Sequence, residues 1–577
     1  MKKSFGLVLC LLLVLSPVVM ASSVADIVII GGGPAGLAAA VEAAVAGEKV
    51  ILLEKMPVLG GALLYTGGTV SGAGTRIQAA QGIEDSPELH FLDSIVEGDF
   101  KVDPELLMLY CNLAGPTIEW LIDELGVEIT EAVFAPEHTL YSVPRTYKPA
   151  MINGKAAVLH GLLNRIEELD NLEVRLNTEA IKLIQDELSG RVIGAMAVDE
   201  DGKLVQFYGQ KGVILSTGGF GNNPALLQKY AKGAENWFMI SAPGATGDGH
   251  RMAREVGATL VNMEYIPTYN YGFERANGQA SMVYVRSELF GGVYINETGK
   301  RFVNELASQK EREKALREQP NSIMFEVFDE KIRLANNRPN INAFCESGEI
   351  VSAQTLEELA LKLGLEPVTF AETIKTYNTY VENGVDKDFG KQPLTTKLES
   401  PPFYAAKLRP LGLLTLGGVK IDVDTRVLND EGTPIPGLYA AGELLGAIHG
   451  THISSGNGIT APLAFGRLAA QKVGENDTFF ISGAISESMD LVLADGTFTG
   501  KATGFNGDIE VEVVVKSGEI ANITVLSHND TPQIAEGALK TMVARVTEAN
   551  DINVDTVTGA TYTSKGFLNA IKDAFAQ

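Results

Sequence analysis

The sequence predicts an α/β protein: a Rossmann-like nucleotide-binding domain, interrupted by an inserted segment, with a small α+β module at its C-terminal end. Three observations predict it. The stretch "VADIVIIGGGPAGLAAAVEAAVAGEKVILLEK" (24–55) reads as strand, glycine turn, Ala-rich helix and second strand. Strand-to-glycine turns recur at "KGVILSTGGFGNN" (211–223) and "GTPIPGLYAAGEL" (432–444), with helical patterns after them. Beyond about residue 475 the pattern changes: "DGTFTGKATGFNGDIEVEVVVKSGEIANITVLSHND" (495–530) alternates as short strands with Gly and Asp turns, and a helical run (535–549) follows.

At 577 residues the chain exceeds one ordinary core, and its 45% hydrophobic and 21% charged content is that of a globular protein. The first 21 residues stand apart. Lys2 and Lys3 precede the apolar run "GLVLCLLLVLSPVVM", which is short for a membrane span, and Val19 and Ala21 are small residues before a polar start. This predicts a Sec-type signal peptide cleaved after Ala21, hence a periplasmic or secreted protein. Its removal takes away two lysines and lowers the formal net charge of −25 by two. So acidic a chain excludes a nucleic-acid partner. Beyond the leader only Cys111 and Cys345 remain, so no disulfide framework is expected; no CxxCH haem site and no metal-ligand spacing occurs.

Each part of the first motif has a physical task. Ile27–Ile30 is a β-branched run. Gly31 permits the tight turn, Gly33 lets the backbone approach a pyrophosphate, and Gly36 allows close helix–strand packing, with the helix N-terminus attracting phosphate. Glu54 ends the second strand, 18 residues after Gly36, where it can accept ribose hydroxyls. Further along, "DPELLMLYCNLAGPTIEWLIDEL" (103–125) is helical by periodicity, "GATGDGHRMAREVGATL" (244–260) is a loop feeding a helix, and "SSGNGITAPLAFGRLAAQKV" (454–473) opens a helix at a glycine-rich start. Between 266 and 410 the character changes, and the charge-dense helix "KEREKALREQ" (310–319) reads as a solvated face.

The set "GGGPAGLAAA…EK", "ILSTGGFGNN", "TGDGHRMA", "NETGKRFVNE", "PIPGLYAAGE" and "SGNGITAPLAFGRLAA" resembles the soluble fumarate-reductase-like FAD flavoproteins, a family that includes urocanate and methacrylate reductases and ketosteroid dehydrogenases. The resemblance covers roughly 24–475 and implies a Rossmann-like FAD domain (24–265 and 411–475) interrupted by a capping domain (266–410). It implies non-covalent FAD lined by Gly31, Gly33, Ala35, Gly36, Glu54, Lys55, Gly61, Thr217, Gly218, Asp248, Glu443, Asn457 and Ile459. The tail (485–577) looks like an FMN-binding domain, whose family carries FMN through a phosphoester to a threonine or serine in a D-x-x-[TS]-G-A-[TS] pattern. Asp555, Thr558, Gly559, Ala560 and Thr561 match it, which makes Thr561 the attachment residue and a flavin transferase (FAD:protein FMN transferase) the maturation partner.

The chain departs from the fumarate-reducing pattern where those enzymes grip a dicarboxylate. Ile266 stands at a histidine, "LLTLGGV" (413–419) lacks a second histidine, Ile453 replaces an arginine, and Gln309 occupies the usual proton-donor arginine, with Arg312 three residues further on. A carboxylate buried without partners costs several kcal/mol, which disfavours fumarate. Tyr265, Tyr269, Tyr271, Phe273, Tyr284 and Phe290 crowd the same region and suit a larger, partly apolar and aromatic substrate. Arg286 and Arg275 remain to hold a single carboxylate.

The expectation is an exported ene-reductase. Electrons pass from a membrane or periplasmic donor through FMN and FAD to an activated C=C bond of an unsaturated acid or enone in anaerobic respiration. Arg312, Tyr269 and Tyr271 are the candidate proton donors. The alternatives are a dehydrogenase of ketosteroid-dehydrogenase type and a pure electron-transfer flavoprotein; a carrier has no need of a cap over its flavin.

Overall fold

The computed structural model describes residues 21–133, 141–231, 233–479, 496–504, 507–516, 519–549, 554, 557 and 560–576. Residues 1–20 of the expected leader (1–21) and the motif residues Asp555, Thr558 and Gly559 lie outside the described residues. The chain divides into two compact units, Ala25–Thr478 and a second made of Met1–Val24 with Phe479–Gln577.

The larger unit holds an eight-stranded sheet. Its main path runs Arg426–Leu428, Pro434–Ala440, Leu204–Leu215, Ala21–Ile30, Val50–Leu53, Leu172–Arg175. Ile27 pairs in parallel with Val50, Val50 with Leu172, and Val213 with Leu438. Such two-faced burial demands continuous apolar strands, and Val50–Leu53 is buried at all four positions. The parallel strands end together at Ile30, Leu53, Leu215 and Ala440, and the glycine turns leave from that edge, where open α/β sheets bind ligands. The helix Pro34–Val45 begins with proline at its first turn and is buried on almost every side, because it lies against the sheet and also against the helix Asn457–Gly474. At that second contact a Cβ on Gly466 would stand 2.2 Å from the Ala35 carbonyl oxygen, so the backbones touch.

A seven-stranded sheet forms a second core within the same unit. Phe403–Gly412 is its spine, pairing antiparallel with Met324–Asp329 and with Thr268–Glu274. Phe238–Met239, upstream of residue 266, also joins this sheet, in parallel with Leu411–Gly412. Phe325, Phe328, Phe370, Tyr377 and Tyr404 fill its core, and Phe273 belongs there too, its ring 5.5 Å from that of Phe344.

The charge-dense helix spans Gln309–Arg317 and starts with a capping box between Ser308 and Glu311. It is not the solvated face that its composition predicts. Arg312, Glu313 and Leu316 are buried, because the charges on that side meet partners: Arg312 reaches Tyr294 and Glu313 reaches Thr268. A count of charges cannot distinguish a wet face from a paired one.

In the smaller unit the antiparallel strands Gly496–Thr503, Asp508–Lys516 and Glu519–His528 form a meander. Ile509, Val511, Val513 and Val515 alternate inward against Met542, Val546, Phe567 and Ile571 of the helices Pro532–Ala549 and Thr561–Ala576. Thr561 is the first residue of the last helix.

Candidate active site

A cleft of about 1050 Å³ opens at the carboxyl edge of the eight-stranded sheet. Of the residues the sequence nominates for FAD, Gly31, Gly33, Ala35, Glu54, Lys55, Gly61, Thr217, Gly218, Asp248 and Glu443 line it together. Gly31 sits at φ +107°, a backbone that side chains rarely adopt. Glu54 is buried and held from both sides, accepting from the backbone N–H of Gly32 at 2.7 Å and of Met56 at 2.7 Å. The Lys55 ammonium meets the Asp248 carboxylate at 2.5 Å and the Thr246 hydroxyl at 2.5 Å, and these partners outweigh burial and hold the Asp248 carboxyl below its usual range. The Thr217 hydroxyl oxygen is shielded from solvent with no hydrogen-bond partner among the described residues.

These residues fit a dinucleotide. Gly33 is open, with nothing within 4 Å of where a Cβ would stand, so backbone N–H groups there remain reachable by a pyrophosphate. Glu54 still has lone pairs for ribose hydroxyls, and the Thr217 oxygen awaits a partner.

Three nominated residues lie elsewhere. Gly36 stands behind the turn, where a Cβ would meet the Gly31 carbonyl oxygen at 1.8 Å. Ile459 is buried in the helix Asn457–Gly474. Asn457 is the hub of a buried polar group: its amide oxygen accepts from Tyr110 at 2.7 Å, Tyr141 at 2.6 Å and Ser71 at 2.5 Å, and His90 Nε2 lies 3.3 Å away. Beside it Arg145 is fully buried between Asp85, 2.9 Å away, and Asp93, 3.0 Å away. Sequence reading missed this assembly, because its members come from five separate segments with no motif of their own.

A smaller inner cavity of about 400 Å³ shares Gly442, Glu443, Gly458 and Pro462 with the cleft. Leu414 and Ile453, two of the positions where fumarate-gripping side chains were absent, line it, and so does His449, which sequence reading passed over. Glu443 accepts from the backbone N–H and the hydroxyl of Thr415, at 3.0 and 3.3 Å, and burial pushes its carboxyl up to about 7.

The candidate proton donors gather in the segment of the second sheet. Tyr271 donates to Gln309 Oε1 at 2.9 Å and accepts from Arg286 at 3.1 Å. Arg312 donates to the same Gln309 oxygen at 3.0 Å and to the Tyr294 hydroxyl at 3.3 Å. Glu288 lies between the two guanidiniums, 3.6 Å from that of Arg312 and 3.8 Å from that of Arg286. Gln309, at the expected donor position, thus joins Tyr271 to Arg312. Burial raises the Tyr271 phenol, with Arg312 and Arg286 opposing, and it stays protonated. Burial alone would lower Arg312, but Tyr294, Tyr271 and Glu288 outweigh it. Tyr269, raised by burial, lies on the same strand. Arg275 is committed elsewhere, 2.9 Å from Glu349 and stacked on Phe344.

Of the FMN motif, Ala560 is buried, and the Ser564 hydroxyl donates to the Ala560 carbonyl at 2.9 Å and accepts from the Val557 N–H at 3.1 Å. Thr563 and Ser564 are buried, so neither hydroxyl is presented for modification.

Residues 26–459 match the FAD binding domain model, and residues 504–576 match the FMN-binding domain model. The chain is similar to the urocanate reductase of Eggerthella lenta, with 34% identity over 77% of this chain and 73% of that one. It is similar to the vinyl phenol reductase of Lactiplantibacillus plantarum, with 30% identity over 72% of this chain and 89% of that one. In structure it is similar to the open conformation of a flavocytochrome c3 fumarate reductase, with a TM-score of 0.69 and 28% identity over 78% of each chain. With its glycine cleft and inner cavity, the chain therefore belongs to the FAD binding domain family as a fumarate-reductase-like, flavin-dependent oxidoreductase carrying a C-terminal FMN-binding domain.

Proposed function

We propose that this protein is an exported ene-reductase that reduces an activated C=C bond of an unsaturated acid or enone with electrons from a periplasmic or membrane donor. The observation that carries it is the continuity of the two spaces: a dinucleotide cleft and an apolar inner cavity meet at Gly442, Glu443, Gly458 and Pro462. In this reading residues 266–410 are the cap, and they carry Tyr271 and Arg312, both bonded to Gln309.

Gly31, Gly33, Glu54, Lys55 and Thr217 would hold FAD, which would supply hydride chemistry at one alkene carbon. The other carbon takes a proton from the chain. Tyr271 is the better equipped source, because the Arg286 N–H bonded to its oxygen stabilises the phenolate left behind. Arg312 keeps its charge and positions the donor, because its guanidinium and Tyr271 bond the same Gln309 oxygen. The walls of the inner cavity are mostly apolar and suit the hydrocarbon part of such a substrate. Thr561 would hold FMN through a phosphoester made by a flavin transferase, and that group would supply one-electron chemistry for entry from the donor.

The test is anaerobic turnover of a panel of enoates and enones with dithionite-reduced viologen. Reduction of a panel member supports the reading; a protein that loads both flavins and reduces none defeats it. A dehydrogenase is the second reading. It is favoured by the apolar inner cavity together with a similarity to the 3-ketosteroid-Δ4-(5α)-dehydrogenase of Rhodococcus jostii RHA1, with a TM-score of 0.64 and 26% identity over 80% of this chain and 99% of that one. Turnover confined to saturated compounds with an artificial acceptor selects it.

A further inference from the structure

Resting on the ene-reductase reading, we infer that the substrate enters the inner cavity as an uncharged aryl alkene or enone, with His449 hydrogen-bonded to its phenolic or carbonyl oxygen.

Two independent observations carry this. The first is the lining. Leu414, Leu416, Leu445, Ile448, Ile453 and Phe465 make the walls apolar. Of the polar side chains there, Thr415 and Glu443 already hold each other. His449 remains. Its ring packs edge-on against Tyr110 at 5.6 Å and forms no hydrogen bond to a described residue. Burial pushes the imidazole down to about 3, so at neutral pH it offers one N–H and one lone pair but no charge. A neutral oxygen matches that; a carboxylate does not.

The second is the placement of the cations. Arg145 lies between Asp85 and Asp93, Arg301 between Glu305 and Asp386, Arg286 and Arg312 share Glu288, and the half-buried Arg317 faces Glu313. None of these arginines lines the inner cavity. A carboxylate entering it would exchange water for aliphatic walls and a neutral ring, with no cation to offset the loss.

The experiment uses the full-length protein loaded with both flavins and reduced viologen as the electron source. 4-Vinylphenol and benzylideneacetone are compared with 4-hydroxycinnamate and fumarate. The neutral pair is expected to exceed the acids in kcat/KM by about 100-fold or more, the scale of an uncompensated buried charge. His449→Leu is expected to raise KM for 4-vinylphenol about tenfold and to raise KM for cinnamonitrile, an activated aryl alkene without the oxygen, much less, and His449→Gln is expected to recover most of the loss. Calorimetric binding of 4-ethylphenol to the oxidised protein should weaken in parallel. Preference for the acids overturns the inference while leaving the ene-reductase reading standing. Equal losses for cinnamonitrile and 4-vinylphenol overturn the role of His449, and so does release of FAD from His449→Leu, which would assign the residue to the cofactor. Failure to reduce any alkene removes both readings together.

Discussion

His452 Nε2 lies 2.8 Å from Glu313 Oε2. The contact joins the loop that carries Ile453 into the inner cavity to the helix that carries Gln309 and Arg312. Glu313 also accepts from the backbone N–H of Thr268 at 3.0 Å and from its hydroxyl at 2.8 Å, and it pairs with Arg317. One buried carboxylate therefore ties together three separate segments of the chain.

Glu313→Gln should loosen this junction. Burial opposes ionisation of Glu313, but His452 and Arg317 outweigh it and hold the carboxyl below its usual range. A depressed acid stabilises the fold above its unfolded value, near 4.5, and that contribution is lost as pH falls through the lower folded value. Chemical denaturation at pH 7 should show a loss of about 2–3 kcal/mol in the variant. The difference between wild type and variant should shrink as the buffer is taken below about pH 4.5; a constant difference would argue against the ion pair.

Glu443 should titrate in the opposite sense. Its folded value near 7 lies above the unfolded one, so its contribution to the flavin-free protein is full below about pH 4.5 and lost as pH rises through 7. Melting temperatures of flavin-free protein from pH 5 to 8 should decline more steeply for wild type than for Glu443→Gln.

Two of the three fingerprint glycines, Gly33 and Gly36, should separate folding from binding. Gly33→Ala meets no atom, so flavin-free stability should hold while FAD affinity falls about tenfold or more through crowding of the pyrophosphate approach. Gly36→Ala drives a methyl into the Gly31 carbonyl and should lower stability by about 1–3 kcal/mol or prevent folding. Equal effects of the two on flavin-free melting would contradict this division of labour.

Tyr271→Phe removes the phenolic proton and leaves the ring in place. Turnover of any accepted alkene should drop about 10²-fold or more. Reduction of the flavin by viologen, followed by absorbance without substrate, should not change. An unchanged kcat would exclude Tyr271 as the proton source.

Thr561→Ala should abolish the FMN mass increment that survives denaturation and leave FAD content intact. Turnover with the physiological donor should collapse, while small reductants that reach FAD directly should still support activity. Peptide mapping should place no flavin on Thr563 or Ser564, which are buried.

The FAD cleft was legible in the sequence because its parts are backbone devices: a turn at Gly31, an approach at Gly33 and an acid at the end of a parallel strand each leave a residue type at a spacing. Ten of the nominated positions meet in one cleft. His449 and the Asn457 hub were not legible, because a lone histidine and a scatter of tyrosines acquire meaning only when distant segments converge. The helix Gln309–Arg317 misled for a related reason. Its charges look like those of a wet face until Glu288, Thr268 and His452 are seen opposite them.

The backbone contact between Gly466 and Ala35 binds the cleft to the order of synthesis. The Ala-rich helix emerges, from an export channel as from the ribosome, more than 400 residues before the segment that covers its far side. Until that later helix arrives, a nearly all-apolar cylinder has one flank bare, and contacts of such long sequence separation form slowly. A nascent or truncated chain ending before residue 457 has a complete phosphate turn and no Gly458 or Pro462 to wall the cleft. Cofactor capture is accordingly a late event in this protein's biogenesis, and premature termination products should be colourless and prone to associate through the uncovered helix.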